Sequence, residues 1–250
     1  MPNLRTRVSA VPRRRAGAGI RSPLMTGGEL TTAATPRLIH FRVSHYNEKV
    51  RWALDFKRWA HRRKSVVPGF HVPGLQLRTG QRKTPILEID GTRLIGSAHS
   101  LDELERRRPE PPLYPADEAG KSRALALQAW FDDEVAPALR RIFWSTYIAD
   151  SAACARMATD GASGPARVAF RALFPVMRPL FKRNIGLDRT RVEAARAGLS
   201  GIFDRLEAEI GPAGYLVGDR FGVADLVAAA VMSAIIRPPG FSYPLPEPLP

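Results

Sequence analysis

Cysteine is almost absent: Cys154 is the only one in 250 residues. Neither an intrachain disulfide framework nor a Cys-rich zinc site can be built from it, and a reducing, cytoplasmic setting is expected. Long hydrophobic runs are also lacking. The longest near the C-terminus, residues 226–236, is about half of what a bilayer crossing needs, and Asp225 and Arg237 bracket it. No membrane span is expected. Acidic side chains are few beside basic ones, 24 against 38, which leaves a formal charge of +14 at pH 7. Six arginines and one glutamate put +5 of this before Pro36, and the remainder carries +9. Such an excess favours phosphates, anionic lipid surfaces or acidic small molecules without choosing among them. The arginines are scattered and no reader motif accompanies them, so nucleic-acid binding is not expected. None of the five histidines stands at metal-ligand spacing from Asp, Glu or Cys, and no Ser-His-Asp elbow or glycine-rich phosphate loop occurs. No metal is expected, and nucleotide chemistry has no support. No internal repeat is evident.

With 44% hydrophobic and 25% charged residues, the chain is long enough for two modest domains or one large one. Residues 1–35 lack hydrophobic periodicity and read as a flexible basic tail. Its first 24 residues, rich in arginine and free of acid, resemble a transit peptide but have no secretory apolar stretch, and Met25 is an alternative start. Residues 37–41 read as a strand. From 46 to 59, apolar residues recur at helical spacing, and 64–67 read as a second strand. Pro68, Gly69, Pro73 and Gly74 then argue for a loop. Residues 85–89 and 92–95, joined by Asp90-Gly91, form a hairpin, because Asp-Gly supplies the positive φ angles of a tight turn. Ser97 is read as the cap of a helix ending near Arg107. After prolines at 109, 111, 112 and 115 no strand candidates remain. Residues 118–149, 167–183, 189–210 and 223–237 read as helices, broken at 161–165 and 211–214. Pro137 should bend the first, and Pro175 and Pro179 should kink or shorten the second. The implied organisation is a tail (1–35), an α+β domain of order β-α-β-loop-β-β-α (36–108), a proline-rich linker (109–117) and an all-α helical-bundle domain (118–250).

Four segments carry a family resemblance. They are residues 44–55 (SHYNEKVRWALD), Lys83-Thr-Pro-Ile-Leu87, Gly96-Ser97, and residues 214–225 (GYLVGDRFGVAD). In order and spacing they resemble cytosolic glutathione S-transferases over about residues 37–237. The resemblance implies a thioredoxin-like first domain, a helical second domain and glutathione as co-substrate. It also implies dimerisation and an electrophilic apolar small molecule as the second substrate.

Ser44 falls where the family carries its activating Ser, Tyr or Cys. A free thiol has a pKa near about 8.5. Free N–H groups and the positive end of a helix dipole favour the thiolate, and a hydroxyl donating to sulfur adds to this. An N-cap serine would occupy the same place, so both readings stand. Tyr46 is the alternative hydroxyl. Ser44 and Asn47 replace the two sulfurs of a Cys-x-x-Cys pair, which excludes dithiol redox chemistry there. Thr84-Pro85 matches the family's cis-proline, whose preceding backbone pairs with glutathione as a strand would. Ser97 matches the residue that holds the γ-glutamyl carboxylate at a helix N-terminus, but Gly96 stands where the family has Glu, Asp or Gln. Lys83, Arg82 and His71 border the groove and can face the glycyl carboxylate, while His99 reads as exposed. Trp144 and Tyr147 line the apolar co-substrate pocket or belong to an aromatic core stripe. Asp225 resembles the family's helix-capping residue. The prolines after Arg237 cannot extend the bundle, which suggests a shortened C-terminus and an open pocket. The expected function is transfer of glutathione to an electrophile. The alternative is a non-catalytic ligand-binding or interaction protein of the same fold, favoured by Gly96. A third reading attaches the arginine tail to anionic membranes or nucleic acid.

Overall fold

The computed structural model describes residues 35–160 and 162–238. The arginine-rich tail, Met25 and the prolines from 239 onward lie outside the described residues. The first half holds strands β1 (Arg37–His40), β2 (Arg62–Ser65), β3 (Ile86–Ile89) and β4 (Thr92–Ile95) and helices α1 (His45–Phe56), α2 (His71–Thr79) and α3 (Ser97–Arg107). The sheet order is β2-β1-β3-β4, with β2 parallel to β1 and the other pairs antiparallel. Helices cover both faces, so adjacent residues of β1 and β3, Leu38 with Ile39 and Ile86 with Leu87, are buried alike. Leu38 and Leu87 meet across the ladder with no exposed surface. Asp90 and Gly91 take φ of 48° and 77°, the left-handed pair that their hairpin turn requires. This is a thioredoxin-like half followed by a helical one.

Two readings of the first half are corrected. The second strand sits two residues earlier than expected, because Arg62, Arg63 and Lys64 form an exposed sheet edge that carries no hydrophobic signal. The expected loop contains α2. Pro68 and Gly69 precede it, and Pro73 lies in its first turn, where a missing N–H costs no helical bond. Gly80, at φ 68°, ends it.

The second half comprises α4 (Glu118–Trp130), α5 (Ala136–Tyr147), α6 (Ser151–Ala158), α7 (Gly164–Ile185), α8 (Arg189–Ala197), α9 (Leu199–Glu209) and α10 (Val223–Ile236). The helix expected over 118–149 opens into a π turn at Phe131–Val135. Pro137 cannot donate to the carbonyl of Asp133, and the ladder widens just before it. Helix α6 was not anticipated; its signal is Asp150, whose carboxylate accepts the N–H groups of Ala152 and Ala153 at 2.8 and 2.9 Å. Helix α7 runs unbroken for 22 residues despite Pro175 and Pro179. Both prolines are exposed, and the carbonyls they leave unpaired, those of Arg171 and Pro175, belong to exposed residues. Gly198 divides the expected 189–210 helix into α8 and α9. Asp225 anchors α10 as its sequence position suggests, accepting the N–H groups of Gly222 and Leu216, each at 2.9 Å.

One hydrophobic core spans both halves. Leu38, Val50, Leu54 and Leu101 continue into Leu127, Phe131, Val227 and Val231. Within it α1 and its C-cap carry two lysines with no exposed surface, Lys49 and Lys57. Lys49 pairs with Asp132 of the π turn. Lys57 pairs with Glu105 of α3 and donates to the carbonyl of Pro111 at 2.9 Å. A second core, built from Phe143, Trp144, Tyr147, Phe170 and Phe174, joins α5 to α7. It also encloses Cys154, whose thiol donates to the Tyr147 carbonyl. Burial, helped by the Asp150 charge, pushes that thiol up to about 12.

Two outcomes follow from these buried groups. Asp132→Asn leaves a buried ammonium without a counter-ion and should destabilise the fold by roughly 3–5 kcal/mol in urea unfolding. Lys49→Met should cost less, because Asp132 retains some contact with water, and Lys49→Met with Asp132→Leu should recover most of the loss. Cys154 should resist a thiol reagent at pH 8 in the folded protein and react at once in denaturant.

Candidate active site

The first turn of α1 opens onto a cavity of about 200 Å³. Phe41, Phe143, Trp144 and Phe181 supply aromatic walls, and Ser44, His45, Tyr46 and Arg140 gather the polar groups. Ser44 is the N-cap by position, with φ −139° and ψ 116°, and its carbonyl accepts the N–H groups of Asn47 and Glu48. Its hydroxyl makes no capping bond. The side chain is therefore not spent on the helix, and it lines the cavity beside the N-terminal dipole.

Tyr46 also lines the cavity, but its hydroxyl donates to the carbonyl of Asp132 at 3.1 Å. Burial, reinforced by Asp132 and Asp133 and opposed by Arg140, raises its pKa. It is a tether between α1 and the π turn. His45 has a buried Nε2 with no hydrogen-bond partner. Loss of water, together with the Lys49 and Arg140 cations, pushes its pKa down to about 3, so the ring is neutral at physiological pH.

The turn is tied to the loop before β3. Asn47 Nδ2 donates to Thr84 Oγ1 at 3.3 Å, and the Thr84–Pro85 bond is cis, as the family pattern implies. Among the described residues no backbone hydrogen bond uses Thr84, so its N–H and carbonyl stand ready for an extended ligand. Gly96 N–H donates to the Pro85 carbonyl at 3.0 Å, which brings Ser97 to the same edge. Ser97 is buried and opens α3 as its first residue; the cap is Gly96, not Ser97. The backbone explains the exchange. Gly96 holds φ 87° and ψ 160°, a conformation open to glycine and costly for any side chain.

The remaining candidates divide. Arg82 and Lys83 are exposed beside Thr84. His71 has both ring nitrogens engaged, Nδ1 with the Val67 carbonyl at 3.0 Å and Nε2 with the Arg82 carbonyl at 3.1 Å, which clasps α2 to the loop. Trp144 lines the cavity, packed edge-on against Phe143 and Phe181. Tyr147 is buried in the aromatic cluster and is not among the lining residues, so its place is in the core stripe. His99 is exposed. Sequence reading assigned no part to His45, Arg140 or the α7 residue Phe181. Arg140 was legible in retrospect, since it stands four residues before Trp144 and hence on the same helix face. Among the described residues no group of three or more His, Cys, Asp or Glu is placed to hold a metal ion, and no helix is long and apolar enough to cross a membrane.

Comparison with known proteins agrees with this architecture. The sequence matches the glutathione S-transferase N-terminal domain over residues 38–112 and the glutathione S-transferase C-terminal domain over residues 189–237. The chain belongs to the glutathione S-transferase family. No curated protein matches it. Among solved structures, the family fold recurs in a glutathione S-transferase from Rhodospirillum rubrum F11, 23% identical with a TM-score of 0.56, over 80% of this chain and 77% of that one. The beta-etherase LigF from Sphingobium sp. strain SYK-6 is 20% identical with a TM-score of 0.64, over 83% and 86%. A theta class glutathione S-transferase from Xanthomonas axonopodis pv. citri, solved with glutathione bound, is 19% identical with a TM-score of 0.58, over 86% and 87%. At these identities the likeness establishes the fold of this glutathione S-transferase family member.

The neutral histidines make stability depend on pH. Burial pushes buried His40 down to about 4 and His45 down to about 3. Unfolded, each takes up a proton near its ordinary 6.5, so the unfolded chain binds more protons below that value. Stability present above pH 6.5 should therefore fall as pH drops toward 4, by up to about 1.4 kcal/mol per pH unit for each ring. Urea midpoints at pH 5 and pH 7 measure this, and His45→Gln should remove about half of the slope.

Proposed function

We propose that the chain transfers glutathione to an electrophilic apolar molecule. The observation that carries this reading is the Ser44 hydroxyl, uncommitted to its cap and facing an aromatic cavity at the N-terminus of α1. Glutathione lies along the edge formed by Thr84, Pro85 and Ser97, its backbone pairing with the free N–H and carbonyl of Thr84. Ser97 and the first N–H groups of α3 receive the γ-glutamyl carboxylate, and exposed Arg82 or Lys83 meets the glycyl one. The sulfur then reaches the first turn of α1. There the Ser44 hydroxyl donates to it and the helix dipole favours the thiolate. His45, neutral near pH 7, brings no positive charge to the sulfur. The electrophile stacks in the cavity against Trp144 and Phe143, held at bonding distance from the sulfur while the aromatic walls exclude water. Solved relatives that carry bound glutathione support the choice of thiol.

The second reading, a ligand-binding protein without catalysis, is favoured by Gly96, which offers no side chain at the γ-glutamyl end. A glutathione titration followed by tryptophan emission separates the two. Saturable binding with a thiolate absorbance near neutral pH is the expected result. Ser44→Ala should retain binding and lower kcat/KM by about tenfold to a hundredfold, the equivalent of one charge-assisted hydrogen bond. Absence of binding at millimolar glutathione overturns the transferase reading.

A further inference from the structure

Arg140 is the one formally charged residue among the fifteen that line the cavity. Its Nε is buried and has no hydrogen-bond partner, and among the described residues no carboxylate pairs with its guanidinium. Of the other cations nearby, Lys49 is already neutralised by Asp132, and Arg141, whose charge acts on Arg140, is not among the lining residues. The polar groups that share the cavity with Arg140, namely Ser44, His45, Tyr46 and Ser233, carry no negative charge. Tyr46 and Ser233 both have their hydroxyls engaged with carbonyls, of Asp132 and Ala230. A guanidinium does not shed its proton in a protein, and a half-buried cation with no carboxylate beside it, on the wall of an aromatic cavity, is a ready partner for an anionic ligand.

We propose that the cavity selects an aromatic co-substrate bearing an anionic group, with Arg140 as its counter-ion. The inference narrows the transferase reading and rests on it: the co-substrate is apolar over its ring and charged at one substituent. Size agrees with one substituted ring: a dry cavity of about 150 Å³ holds benzene, and this one measures about 200 Å³. The walls suit a flat ring, since Trp144 and Phe143 already pack edge-to-face and a further ring extends that arrangement. Carboxylate and guanidinium match as a planar, two-bonded pair. In the reaction the glutathione sulfur bonds to an electron-poor ring carbon and the bond from that carbon to its leaving group breaks. The leaving group departs with the electron pair, and the thiol proton goes to solvent.

Two matched pairs of probes test this. For turnover, 4-chloro-3-nitrobenzoate is compared with its methyl ester; chloride leaves in both. For binding without glutathione, unreactive 3-nitrobenzoate is compared with its methyl ester by quenching of tryptophan emission. The full chain should bind the acid at least tenfold more tightly than the ester. Arg140→Gln should lower the acid-to-ester ratio at least tenfold, in Kd and in kcat/KM, whereas Arg140→Lys should keep part of it. Intrinsic reactivity cancels in the comparison of ratios. Equal binding of acid and ester by the unaltered protein overturns the proposal. So does an Arg140→Gln variant that loses acid and ester turnover alike, which would assign the charge to the thiolate. If neither probe turns over while the acid is still bound preferentially, the transferase reading fails and the anion site stands.

Discussion

Two lysines, Lys49 on α1 and Lys57 at its C-cap, each without exposed surface, constrain how the described elements pack. Helix α1 lies in the core between the sheet and α10, and a buried ammonium is tolerable only with a counter-ion and satisfied donors. Lys57 finds Glu105 and the Pro111 carbonyl; Glu105 in turn accepts the N–H groups of Leu113 and Tyr114 at 3.1 and 3.4 Å. Lys49 reaches across to Asp132. A hydrophobic core alone tolerates small slides of one helix over another. These two charges do not, because a shift that separates either pair strands it in a low dielectric. The linker conformation and the approach of the helical half are thereby set from α1 outward.

That constraint explains why a π turn interrupts the helix containing Asp132. Widening the ladder at Phe131–Val135 presents both the carboxylate and the carbonyl of one residue toward α1, where Lys49 and the Tyr46 hydroxyl receive them. Tyr46 is thus used up as a structural tether, and the neighbouring Ser44 keeps an uncommitted hydroxyl. The division of labour within the four residues from Ser44 to Asn47 follows from geometry. Successive positions of a helix start point in different directions: Tyr46 reaches the π turn, and Asn47 reaches the proline loop. Ser44 stands at the mouth of the turn.

The sheet, the hairpin and the first helix were legible because their signals are local: apolar runs, Asp-Gly between strands, helical spacing after Ser44. Helix α2 and the edge strand β2 were not. Pro73 and Gly74 carry breaker chemistry that the first turn of a helix tolerates, and Arg62-Arg-Lys64 shows no apolar face because only one of its edges is paired. In the site, Ser44, Thr84, Pro85, Ser97 and Trp144 were within reach of sequence reasoning. Arg140 was hidden by its setting in a basic chain, where one more arginine reads as solvated surface. What distinguishes it is its place on a cavity whose lining holds no acid, a property of four helices packed together that no linear pattern records. Tyr147 shows the converse. It shares a helix with Trp144, yet three residues of rotation carry it from the cavity wall into the core.

The same contrast decides which charges matter to a ligand. The formal +14 is a property of the whole chain, but at physiological salt exposed charges are screened over about 8 Å. Arg82 and Lys83 therefore act only on a ligand already at the groove, and the distant arginines add little to affinity. Arg140 lines the cavity itself, within reach of any ligand that enters, so its single charge counts for more there than many distant ones. In the proposed reaction it also acts at the right stage. As sulfur bonds to the ring, the negative charge leaves the Ser44 end and spreads over the aromatic system toward its substituents. A cation placed near those substituents then stabilises the transition state more than the separated reactants, which is the condition for an electrostatic contribution to rate rather than to binding alone.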